Sequence, residues 1–141
     1  MISKQQQLAH DGATIEAFDA IAAALQLYID GVAQGDAAKL AEAVHPDAQM
    51  YGAVGDHRYD MPITAFSEYI AEHPADVDGR FRARITSIVQ AGDAASASVT
   101  EENHLGTLTF VDFFTLCRSE GRWRIANKTF AHTAGEIPAQ Q

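Results

Sequence analysis

Apolar positions change period once along this chain, from steps of three and four in the first half to alternation in the second. Ile15, Phe18, Ala22, Leu25, Ile29 and Val32 fall on one stripe, which predicts a helix over roughly residues 13–34. Gly35 suits the left-handed position that ends a helix, and Asp36 suits the N-cap of a short second helix holding Leu40 and Val44. His45-Pro46-Asp47 breaks that helix. Residues 48–54 then read as a strand with Ala48, Met50, Gly52 and Val54 on one face. A third helix is expected from Pro62, burying Ile63, Phe66 and Ile70 and stopping at His73-Pro74.

From residue 80 the pattern is that of strands. Phe81, Ala83 and Ile85 alternate, Ala91-Gly92-Asp93 turns the chain, and residues 95–104 alternate again. Leu105-Gly106 marks a second break, residues 107–118 form a long strand, and Ser119-Glu120-Gly121 forms a hairpin loop before Trp123–His132. Three helices followed by a meander predict an α+β domain, its helices covering one face of a curved antiparallel sheet. One domain is expected over residues 1–141, with a core of about 13–133 and loose ends at 1–12 and 134–141.

Composition narrows the class. Hydrophobic residues make up 47% and charged residues 21%, as in a globular domain. A net charge of −9 argues against binding to nucleic acid or to anionic membranes. The N-terminus lacks the apolar core of a signal peptide and no run approaches a membrane span, so a cytoplasmic location is expected. Cys117 is the single cysteine, and no Cys/His cluster has metal spacing, so neither a disulfide nor a metal or other cofactor is expected.

The strongest chemical signal is Asp112. Alternation puts it on one strand face with Leu108, Phe110, Phe114 and Leu116, so the carboxyl is buried and must be paired, hydrogen-bonded or protonated. It either faces a pocket or forms a salt bridge to Lys128 or Arg124. Matching Leu116 with Ile125 sets Phe114 against Asn127 and Asp112 against Thr129, leaving Lys128 on the opposite face; a register shift of one would restore an Asp112–Lys128 pair. Tyr28 either aims its hydroxyl at a cavity or bonds a carbonyl at the edge of the core. Glu101 and Asn103 share a face with Ala97 and Val99 and are pocket candidates, whereas His104 shares the apparent solvent face with Ser98, Thr100 and Glu102. His45, His57, His104 and His132 are too dispersed for a metal site, with His45 reading as a turn residue, and Asp56-His57 is an acid/base pair by adjacency alone. No nucleophile elbow, phosphate loop or dinucleotide fingerprint is present.

Two stretches carry a family resemblance: Tyr28–Asp36 with His45-Pro46-Asp47-Ala48, and Asp112-Phe-Phe-Thr-Leu with Glu120–Lys128. They resemble the opening and the last hairpin of nuclear-transport-factor-2-like (NTF2-like) proteins. The nearest branch is the bacterial group labelled putative lumazine-binding; SnoaL-like cyclases and ketosteroid isomerases are more distant. The resemblance implies a cystatin-like cone around a cavity and a homodimer formed through the exposed sheet face, where Trp123, Phe113 and Val111 would supply apolar contact. The expected pocket is Tyr28, Met50, Gly52, Phe66, Phe110, Asp112, Phe114 and Asn127. Similarity to ketosteroid isomerase places Tyr28 and Asp112 at the two oxyanion donors and Gly52 at the catalytic base. Glycine cannot take a proton, so Glu101, Asp56 and His57 become the available bases. The function expected is binding of a small, largely apolar carbonyl compound. The alternatives are an isomerase, cyclase or dehydratase using Asp112 and Tyr28, or a non-catalytic dimeric scaffold.

Overall fold

The structure, a computed structural model, describes residues 12–138. Three helices, α1 (Ile15–Gln34), α2 (Ala37–Ala43) and α3 (Ile63–Glu72), pack on a sheet of six strands. The strands are β1 (Val44–Val54), β2 (His57–Pro62), β3 (Arg82–Ala91), β4 (Ala94–His104), β5 (Leu108–Ser119) and β6 (Arg122–Ala134). Their order across the sheet is β2-β1-β6-β5-β4-β3. All neighbours are antiparallel except β1 and β6, which run parallel.

Local chemistry sets the helix ends. Thr14 caps α1 by accepting from the Ala17 N–H at 3.0 Å, and Gly35 closes it in the left-handed region at φ 68°. Asp36 then caps α2 by accepting from the N–H groups of Ala38 and Lys39. The buried side of α1 differs from the expected stripe. Ala17, Ile21, Ala24, Leu25, Tyr28, Ile29 and Val32 face inward, while Ile15 and Phe18 are exposed. The first half of the buried face is carried by Ala17, Ile21 and Ala24, which leaves Ile15 and Phe18 on the outward side.

Three other expectations change. Val44 is extended and begins β1, so His45-Pro46-Asp47 lies inside a strand, at an irregularity between the Val44–Ile125 and Gln49–Asn127 pairs. The segment after Gly55 is a further edge strand, β2. Gly12 and residues 134–138, expected as loose ends, are engaged: the Gly12 carbonyl accepts from the Gly92 N–H at 2.9 Å, Ala134 ends β6, and the Thr107 hydroxyl donates to the Glu136 carbonyl at 2.7 Å. Residues 1–11 and 139–141 lie outside the described residues.

The β5–β6 hairpin decides the register. Ser119 pairs with Arg122 around a two-residue loop in which Glu120 and Gly121 both have positive φ. Leu116 pairs with Ile125, as the alternation predicts. Ala126 is then an extra residue, and the register steps by one, so that Thr115 pairs with Asn127 and Phe114 with Lys128. The bulge turns Lys128 onto the inner face and Asn127 onto the outer one. Trp123, expected on the exposed face, is buried on the inner side in line with Ile125, while Phe113 remains exposed.

Candidate functional site

Helices and sheet enclose a cavity of about 1090 Å³. Its walls are largely apolar: Met50, Val54, Tyr59, Met61, Phe66, Leu108, Phe110 and Phe130. Four buried ionisable side chains also line it, Glu101, His104, Asp112 and Lys128, while His73 on the same lining is exposed. A mostly apolar cavity with a few convergent polar groups is the usual form of a small-molecule site.

The sheet explains the convergence. Glu101 pairs with Phe110 and Val99 with Asp112 across β4 and β5, which sets Glu101 and Asp112 as diagonal neighbours on the inner face. Beyond Glu101, β4 carries one extra residue before His104 pairs with Leu108, and Asn103 takes φ 60° there. This second bulge turns His104 inward, to the side opposite the one alternation predicts, and leaves Asn103 half-buried with its side chain donating to the Arg80 carbonyl. The His104 ring meets Phe110 edge-on, with centroids 5.3 Å apart, and its Nδ1 stands 3.7 Å from Glu101 Oε2.

Lys128 joins the cluster from β6. Its ammonium donates to the Tyr28 hydroxyl at 2.6 Å and lies 3.8 Å from Asp112 Oδ2. Three aromatic rings surround it, with Nζ 4.4 Å from the Phe66 centroid, 5.2 Å from Tyr28 and 5.3 Å from Phe130. Tyr28 is fully buried beneath, edge-on to Phe114. Tyr28 and Phe114 therefore support the cavity floor without lining it. Of the two expected oxyanion donors, Asp112 lines the cavity and Tyr28 does not; Lys128 stands between Tyr28 and the cavity.

Electrostatics follow from burial. Desolvation, and then the charge of Glu101, push the Asp112 carboxyl well above the usual carboxylate range; Lys128 pulls the other way. Burial, then Asp112 and Glu101, raise the Tyr28 hydroxyl well above its ordinary value, so it stays neutral. Burial and then Lys128 lower His104 to about 4, against a smaller upward pull from Asp112, so its imidazole is neutral at pH 7. Glu101 Oε1, Asp112 Oδ2 and His104 Nδ1 are buried without a hydrogen-bond partner among the described residues.

Met50, Phe66, Phe110, Asp112 and Glu101 of the expected site residues line the cavity. Gly52 does not. A Cβ there would stand 2.6 Å from the Phe130 carbonyl oxygen and 2.7 Å from its ring, so Phe130 occupies the space a catalytic side chain would need. Asn127 lines a separate outer-face groove with Ser96, Phe113 and Thr129. Asp56 and His57 are exposed, and the His57 ring packs on Tyr59 with centroids 4.5 Å apart. His45 accepts from the Asp47 N–H at 3.1 Å, within the irregular start of β1. Among the described residues no three His, Cys, Asp or Glu side chains are placed to hold a metal ion, and no helix is long and apolar enough to cross a membrane.

Residues 16–131 match the family described as Putative lumazine-binding. The chain belongs to that family. Among solved structures it is similar to an NTF2-like protein of unknown function from Methylobacillus flagellatus, with 31% identity and a TM-score of 0.78 over 86% of this chain and 96% of that one. A ketosteroid isomerase-like protein from Erwinia carotovora shares the fold at 19% identity and a TM-score of 0.63, over 86% of this chain and 99% of that one. Among curated proteins, aldolase FrzH of Cladobotryum is 22% identical over 83% of this chain and 92% of its own length.

Proposed function

We propose that this family member binds a small, largely apolar molecule whose carbonyl end seats against Lys128, Asp112 and Glu101. One observation carries the reading: buried polar atoms of Glu101, Asp112 and His104 lack partners and all belong to residues that line the cavity. Leaving such atoms unmatched costs about 1–3 kcal/mol each, and a ligand offering complementary polar atoms offsets that cost. Lys128 donates to the carbonyl oxygen, and the carboxyl groups accept from a neighbouring hydroxyl or amine of the ligand. The apolar walls take the rest of the molecule. The family description is consistent with a small-molecule ligand.

Calorimetric titration with 2-acetylnaphthalene tests this. Saturable binding is expected, weakened about tenfold or more by Lys128→Met, on the scale of one charge-assisted hydrogen bond. Phe113→Ser on the outer face is expected to leave it unchanged. Equal affinity in wild type and Lys128→Met would sink the reading.

A second reading, proton transfer beside a carbonyl in an isomerase, cyclase or dehydratase, is favoured by the placement of Glu101 and Asp112 as diagonal neighbours on the cavity wall. Glu101 takes the proton from carbon, Asp112 returns it, and Lys128 stabilises the oxygen that gains charge. Deuterium exchange at the methyl group of 2-acetylnaphthalene, followed by NMR, should be faster with wild type than with Glu101→Gln. Identical rates would remove the catalytic reading and leave the binding one. In either case a second copy would dock on the outer sheet face around exposed Phe113 and half-buried Val111.

A further inference from the structure

We propose that Lys128 is a nucleophilic amine that condenses with a ligand carbonyl to form an imine at the inner end of the cavity, a step that rests on the carbonyl-binding reading. The sequence has three lysines, Lys4, Lys39 and Lys128. Lys39 bonds Gln34 on the surface, whereas Lys128 lines the cavity. Of the three hydrogens on its ammonium, one goes to Tyr28. The nearest carboxylate oxygen, Asp112 Oδ2, is 3.8 Å away, an ion pair without a close hydrogen bond. The nitrogen is therefore oriented by Tyr28 and the aromatic rings while its remaining hydrogens stay available to a carbonyl oxygen.

The proton acceptors that the step needs are already beside it. Lys128 releases one proton to the Glu101–Asp112 pair and attacks the carbonyl carbon as a neutral amine; a C–N bond forms while the C–O double bond opens. The carboxyl pair returns protons to the oxygen, which departs as water. One of the three ammonium hydrogens remains on the iminium nitrogen and two leave in the water, so charge and atoms balance with no oxidant or reductant. An amine that lines a largely apolar cavity beside two carboxyl groups is placed for this chemistry. Asp112 and Glu101 supply the acid that carbinolamine dehydration requires. Tyr28 acts as a positioning residue, since its hydroxyl bonds Lys128 and its side chain does not line the cavity.

The test uses the full chain with benzaldehyde and sodium cyanoborohydride at neutral pH, which converts an imine to a stable benzylamine. Peptide mass mapping should find Lys128 labelled about tenfold or more faster than Lys39, the internal control for ordinary surface amines. Asp112→Asn should slow labelling at Lys128 by about 10²-fold, the scale of lost acid catalysis, with the Lys39 rate unchanged. Labelling of Lys39 with Lys128 unmodified would overturn the proposal. If 2-acetylnaphthalene still bound while Lys128 stayed unlabelled, the imine would fall and the pocket reading would stand. Loss of both would remove both.

Discussion

The inner and outer ends of the cavity are built differently. At the inner end Glu101, His104, Asp112 and Lys128 come from the central strands β4, β5 and β6, and none is more than 7% exposed. At the mouth, Tyr69, Val77 and Ile137 come from the end of α3, the segment after it and the C-terminal tail, and they are 46%, 59% and 57% exposed. The contrast separates chemistry from access. The inner groups are fixed by strands paired on both sides, so their mutual distances are set by register, and their buried polar groups interact with one another. The mouth residues contribute apolar surface.

The sharpest way to break this contrast is to remove the only cation of the inner cluster. Lys128→Met should lower stability in urea denaturation by about 3 kcal/mol, because two neighbouring buried carboxyl groups lose their counter-charge. Adding Asp112→Leu should recover part of the loss, with a coupling of about 1 kcal/mol or more. A single variant as stable as wild type would mean that the cluster is not interdependent.

The pH response probes the same end. His104 is neutral in the folded protein down to about pH 4, whereas in the unfolded chain it charges below its ordinary value of 6.5. Between those values the unfolded chain binds more protons, so the His104 contribution is complete above pH 6.5 and lost as pH falls toward 4, up to about 3 kcal/mol. Asp112 acts in the opposite sense, since its raised value favours the folded state below the pH at which it ionises and that contribution fades as pH rises. Comparing wild type with His104→Gln isolates the histidine. The variant's stability should fall less across that window, and parallel curves would contradict the placement of His104.

Gly52→Ala asks whether Phe130 holds the cavity wall in place. With the new Cβ inside contact distance of both the Phe130 carbonyl and its ring, a loss of about 1–3 kcal/mol is expected in thermal or urea unfolding. The smallest effect is expected at the mouth, where Ile137→Ser should change stability by less than about 0.5 kcal/mol. A larger loss there would mean that the tail is part of the core.

The fold was legible because its signals are local: a left-handed Gly35, an Asp36 cap, and period-two runs separated by glycine turns. Asp112 and Glu101 were legible for the same reason, as both sit in uninterrupted alternation. His104 was not, and Lys128 was legible only as the pair a one-residue register shift would restore, because each lies just beyond a bulge. One extra residue inverts every assignment after it, and neither Ala126 nor the Glu102-Asn103 step reads as irregular from alternation alone. Asn103, a residue type that tolerates positive φ, was the one available hint. The inward turn of Trp123 belongs to the same lesson: it pairs with Arg118 before the bulge, so its face follows from the Leu116–Ile125 match and not from its size.

The central claim is that polar groups at the inner end recognise a carbonyl. Titrating wild type with 2-acetylnaphthalene and with its alkene isostere, 2-isopropenylnaphthalene, tests that claim at nearly constant shape. The ketone should bind about tenfold or more tightly, the scale of one hydrogen bond from a charged donor. Equal affinities, or tighter binding of the alkene, would contradict it.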